Sequence, residues 1–140
     1  MRQIQRTVHG SVAWFEMVGT LLCEAAAKAD LPASLDISLV ERYRDGAALP
    51  GGLVQGLRFN IVGGVPSFRV GAGADEGGDI TVEVTAAASQ VLNSLYAADP
   101  DFVAALARFQ RDGALRIDGD PGRLGPWFAA VHDAIVERTK

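Results

Sequence analysis

His132 stands beside Asp133, and His9 lies far upstream; these are the two histidines of the chain. A histidine moves protons near neutral pH or binds a metal through a ring nitrogen. A metal centre needs further ligands at compatible spacing, and no His-Glu-x-x-His run is present. The single cysteine, Cys23, sits in an apolar stretch and reads as a small buried hydrophobe, with no second cysteine for a disulfide or a structural zinc site. No Gly-x-Ser-x-Gly elbow marks a serine nucleophile. Residues 71–77 have the glycine density of a dinucleotide-binding loop. Their third glycine is misplaced, Asp75 and Glu76 stand where a pyrophosphate would sit, and a strand follows instead of a helix. Asp118 and Asp120 hint at a calcium loop, but the later ligands and the closing glutamate are missing, so a turn is the simpler reading. Paired carboxylates are the remaining acid–base option: Asp36 and Glu41 on one strand, Asp79 and Glu83 on another. Alternation turns Glu83 toward solvent, while the facing of Asp36 and Glu41 stays open. An acid inside an apolar pocket would suit proton transfer on a steroid-like substrate. The sequence assigns no catalytic residue, no metal and no cofactor.

Composition narrows the partners. The chain has 140 residues, enough for one domain with a sizeable core, and we read 1–140 as that single domain. Hydrophobic residues at 49% and charged residues at 21% give the balance of a folded soluble protein. A net charge of -4, with scattered cations, argues against nucleic acid, whose phosphates need a basic face. No stretch reaches the roughly 18 apolar residues of a membrane span. Residues 1–10 alternate polar and apolar residues and lack the apolar core of a secretory signal, so a cytoplasmic location is expected.

The elements follow from periodicity and capping. Ser11 can N-cap a helix over 12–29, which makes 1–30 an extra N-terminal helical segment ahead of the sheet and helices of 35–140. Val12, Phe15, Val18 and Leu22 form its stripe, and Trp14, Met17 and Leu21 widen it beyond an ordinary amphipathic face. Such a helix is buried on most sides, or touches a ligand or a second copy of the chain. Alternation predicts strands over 35–43, 57–61, 65–70 and 80–85, with a hairpin turn at Gly63 and Gly64 and a flexible loop over 47–56. Thr85 can cap a helix over 86–97. Asp99 and Pro100 start another that Gly113 can stop in a left-handed cap. A short strand bounded by Gly113 and Gly119 follows, and a last helix runs over 126–137. The hairpin spacing favours antiparallel pairing, and the late return of the fifth strand allows one parallel pair.

Residues 79–135 resemble the sterol carrier protein 2 family. The resemblance rests on the strand opening at Asp79, Ile80, Thr81 and Val82, the polar link over 98–101, the helix with Phe109 near its end, the glycine-strand-glycine-acid unit from Gly113 to Asp120, and the final apolar helix with Leu124, Phe128 and Val131. It implies an α+β fold, with a mostly antiparallel five-stranded sheet covered by helices and an apolar cavity between the two layers. It also implies a non-catalytic carrier of a lipid, sterol or acyl-CoA ligand, or an accessory domain beside a lipid- or quinone-pathway enzyme.

The aromatic side chains weigh toward such a cavity, although plain core accounts for most of them. Unfilled core volume costs about 24 cal/mol per Å3. A pocket of roughly 300 Å3 would cost about 7 kcal/mol, close to a domain's whole stability of about 5–15 kcal/mol. A bound lipid, a mobile helix, or a homodimer through the N-terminal helix is therefore expected to fill it. Leu92, Leu95, Tyr96, Phe102, Leu106 and Phe128 are the expected ligand-binding residues.

Overall fold

In the computed structural model, residues 4–140 are described, so the first three residues of the segment read above for a signal lie outside the described residues. The elements are α1 (Val12–Lys28), β1 (Ile37–Tyr43), β2 (Ala48–Leu49), β3 (Leu53–Val62), β4 (Val65–Ala72), β5 (Ile80–Val84), α2 (Ala86–Leu92), α3 (Pro100–Asp112), β6 (Leu115–Asp118) and α4 (Pro126–Glu137). Among the described residues the architecture is mixed α+β, with four α-helices and one six-stranded sheet.

The sheet runs β4, β3, β1, β5, β6, with β2 placed beside the start of β3 on its β1 side. Its pairs are antiparallel except β1 with β5, where Leu39 faces Ile80 and Tyr43 faces Val84 in parallel. Two expectations need correction. The sheet is mixed with six strands, and the last strand pairs antiparallel with β5. The supposed loop over 47–56 also contains ladder. Gln55 N–H donates to the Ala47 carbonyl, and its side-chain oxygen accepts from the Ala47 N–H. Those bonds close a small hairpin around Pro50–Gly52, because backbone groups beside a sheet must find partners.

Alternation gives the sheet two unlike faces. Ile37, Leu39, Tyr43, Leu57, Phe59, Ile61, Ile80, Val84 and Leu115 share the inner face and are buried. α1 lies over β4 and β3 and packs against α4. Ser11 Oγ caps it by accepting from the Trp14 N–H. Trp14, Phe15, Val18, Leu22 and Ala26 of this helix are buried within the chain, so its apolar excess is used mainly inside the protomer. Gly19 is the point of closest approach, where a Cβ would overlap the Phe68 ring of β4.

The outer face is held by charge. Glu76, in the link between β4 and β5, reaches Arg58 of β3 at 2.9 Å, Arg69 of β4 and the Gly73 N–H at 2.9 Å. Its own carbonyl accepts from Arg42 Nε of β1. Burial alone would raise the Glu76 pKa, but the Gly73 N–H and the two guanidiniums hold it down at about 2. The glycine-rich link, already excluded as a phosphate loop, is thus a strap tied across the sheet. Its carboxylate adds stability that is complete above the ordinary value of 4.5 and is lost as pH falls toward 2. Replacing Glu76 by Gln is expected to cost about 1–2 kcal/mol near neutrality, since solvent screens the arginines. The gap between the two proteins should close on acid titration followed by circular dichroism; a gap that persists at about pH 2 would show that charge is not the cause.

α2 ends at Leu92, short of the expected Ala97. Asn93 Nδ2 donates to the Ser89 carbonyl and Ser94 Oγ to that of Val91. The Ser89 carbonyl also takes its helical bond from the Asn93 N–H, but the Ser94 N–H and Oγ both turn to the Val91 carbonyl, which the next helical turn would have used, and the chain departs. The strand framed by two glycines is placed as expected. Gly113 caps α3 with φ 83, and at Gly119, with φ 90, a Cβ would meet the Asp79 carbonyl.

Candidate ligand cavity

The inner sheet face and the four helices border a two-lobed cavity that is partly open to solvent. One lobe, about 230 Å3, lies over Val82, Val84, Leu115 and Ile117 of the sheet, with Ser89, Leu92 and Leu106 as its walls. The second, about 280 Å3, extends toward Leu22, Ala129, Val131 and Ile135. Glu41, Asn93, Phe102, Phe128 and His132 border both lobes, so the lobes meet there. Helical spacing explains the walls. Phe102 and Leu106, and Phe128 and His132, are pairs one turn apart on one face. The Phe102 and His132 rings lie 4.5 Å apart. Three larger hollows are surface grooves: two along α1, of about 550 and 390 Å3, lined in part by Glu16, Glu24 and Lys28, and one of about 460 Å3 lined in part by Arg44, Glu83 and Arg116.

Glu41 is the polar feature of the floor. It stands opposite Leu57 of β3 and Val82 of β5 on the apolar face. Burial pushes its carboxyl up to about 7. Among the described residues it has no hydrogen-bond or ion-pair partner. Among the described residues no fully buried side-chain polar atom lacks a partner, so the Glu41 carboxyl keeps some accessible surface, and Glu41 borders the cavity. Asp36 is elsewhere, accepting from the Gly63 N–H at the hairpin turn. Glu83 lies on the outer face, paired with Arg42, as alternation predicts.

A second polar group closes one end. Tyr43 OH lies 2.7 Å from Ser89 Oγ and 3.0 Å from His9 Nε2, and His9 Nε2 is 3.0 Å from Ser89 Oγ. A serine beside a histidine is the arrangement of a nucleophile and its base. Here Ser89 is buried and Asn93 Nδ2 also donates to its Oγ, which leaves the oxygen saturated. The Tyr43 phenol is held protonated, chiefly by burial and then by the charge of Glu41, and burial lowers the His9 pKa. The cluster is a neutral tie between the segment before α1, the sheet and α2.

Neither the family models nor the curated proteins contain a match to this chain. Solved structures do. Sterol carrier protein 2 domains are among them. One crystal structure of sterol carrier protein 2 is 20% identical, covering 90% of this chain and 94% of that one with a TM-score of 0.48. Sterol carrier protein 2 from Yarrowia lipolytica, in its apo form, is 14% identical with 98% of each chain covered and a TM-score of 0.46. A double mutant of the sec-alkyl sulfatase PisA1 is 26% identical over 81% of this chain, with a TM-score of 0.45. This chain spans 15% of the length of that sulfatase.

Of the six expected site residues, Leu92, Phe102, Leu106 and Phe128 line the cavity. Leu95 packs against the core, and its carbonyl meets His132 Nε2 at 2.8 Å. Tyr96 is 49% exposed and borders neither lobe. Both were placed by continuing a helix that stops at Leu92. Glu41, Ser89, Asn93 and His132 were not expected there. Helical spacing from Phe128 reaches His132, and strand alternation from Ile37 and Leu39 reaches Glu41. Cys23 is half-buried against the core, and burial, then Glu24, raises its thiol pKa. Among the described residues no three metal-ligating side chains cluster, and no helix is long and apolar enough to cross a membrane.

Proposed function

We propose that this chain is a carrier that holds a small, largely apolar ligand between its sheet and helices, without chemistry of its own. The observation behind this reading is the two-lobed cavity walled by Val82, Leu92, Phe102, Leu106 and Phe128. Both lobes are partly open to solvent and their walls are mostly apolar, so an apolar guest would take that surface out of water. A homodimer through α1 has less support, because the helix already buries its aromatic residues within the chain.

Native mass spectrometry of the purified protein is expected to show an adduct of lipid mass that organic solvent strips away. Protein that carries no adduct, and binds no long-chain alcohol, fatty acid, sterol or acyl-CoA with a Kd below about 100 μM, would end this reading. One observation favours a second reading, a small enzyme acting on a steroid-like substrate. Glu41 is an acid in an apolar pocket with a pKa near that of a general base. Isomerisation of a β,γ-unsaturated ketosteroid, lost in Glu41→Gln, separates the two readings.

A further inference from the structure

The point where the lobes meet is rich in hydrogen-bond acceptors and poor in donors. Glu41 brings a carboxyl that no described residue meets. Asn93 uses its Nδ2 on the Ser89 carbonyl and hydroxyl, which leaves its Oδ1 as the free atom. His132 Nε2 faces the Leu95 carbonyl and must donate to it, so Nδ1 is the ring nitrogen left without a protein partner. The titratable groups near Glu41 are Tyr43 on its own strand and His132 on α4; β3 and β5 present Leu57 and Val82 to it, and α2 and α3 present Ser89, Asn93, Phe102 and Leu106. Among the described residues, no lysine or arginine lines either lobe.

A carboxyl needs a hydrogen-bond partner or a counter-charge when water leaves it. The protein supplies neither; water serves the carboxyl in the open pocket, and an apolar ligand that displaces that water must replace its hydrogen bond. A ligand carboxylate brings two more acceptors and a like charge to a site with no lysine or arginine. A hydroxyl brings the missing donor.

We propose that the cavity selects apolar molecules that end in a hydroxyl, with Glu41 receiving that hydroxyl, and rejects those that end in a carboxylate. This rests on the reading of the cavity as an apolar ligand site and adds to it the end group the ligand must carry. Asn93 and His132 border the same junction of the two lobes.

Two fluorescent probes with one hydrocarbon chain separate the cases: cis-parinaryl alcohol and cis-parinaric acid. Titrated into the full chain at about pH 8, the alcohol is expected to bind at least about tenfold more tightly than the acid, the size expected of one hydrogen bond to a charged group. In Glu41→Gln and Glu41→Leu the ratio should fall to within about threefold, through tighter acid binding in both and weaker alcohol binding in Glu41→Leu. Equal binding of the two probes by the wild type overturns the selection while leaving the apolar site intact. So does a ratio that survives both substitutions. If neither probe binds the wild type, the apolar site itself falls, and the selection with it.

Discussion

Glu41→Gln is expected to be more stable than the wild type at about pH 8 and no more stable at about pH 4. The folded carboxyl has its pKa raised to about 7 from an ordinary 4.5. The folded state therefore holds the proton more tightly than the unfolded chain. The stability linked to that proton is complete below 4.5, is lost as pH rises to about 7, and changes no further above it. At about 1.4 kcal/mol per pH unit the full effect is about 3 kcal/mol; water in the cavity reduces it to about 2–3 kcal/mol. Glutamine keeps the size and removes the ionisation, so the variant should escape the loss. Urea unfolding of both proteins across this pH range measures it. Parallel pH profiles would mean that Glu41 ionises as freely in the fold as in water.

Gly19→Ala should destabilise the protein by about 1–2 kcal/mol, against the usual sign for a helix. In an exposed helix, alanine is favoured over glycine by up to about 1 kcal/mol. Gly19 is at mid-helix in α1, pressed on Phe68 of β4, and the added methyl would overlap an aromatic ring that the helix and sheet hold in place. Either the ring leaves its rotamer or α1 lifts from the sheet, and overpacking of this kind costs about 1–3 kcal/mol. Lifting α1 also moves Leu22, which walls the second lobe. Phe68→Leu in the same background should recover part of the loss, and a double-mutant cycle of melting curves reads the coupling. A Gly19→Ala protein as stable as the wild type would mean that helix and strand have slack between them.

Much of this fold is legible from local signals. Ser11, Asp99 and Gly113 mark helix ends because capping is decided by one or two residues, and each is found in that role. The strands of β1, β3, β4 and β5 follow from alternation. The parallel partner of β1 and the short β2 do not, because pairing depends on segments far apart in sequence. Helical spacing finds Phe102, Leu106 and Phe128, since both their helices run as expected. It fails at Tyr96, because Ser94 turns back to the Val91 carbonyl and α2 ends. Glu41 shows a different limit. Ile37, Leu39, Glu41 and Tyr43 fall on one face by plain alternation, yet a charged residue in that register reads as the end of a pattern. Only the enclosing helices show that the face is roofed.

The parallel ladder of β1 with β5 has a consequence for how the cavity comes into being. Everything from β2 through β4 lies in sequence between the two partners. Glu41 and Val82 become neighbours in the floor only after that whole excursion has closed on itself. Contacts between such distant segments carry the loop-closure entropy of all the chain between them. The cavity is therefore a property of the finished assembly. No excised piece keeps it, neither the hairpins nor the helical C-terminal half, because each leaves one side of the floor behind.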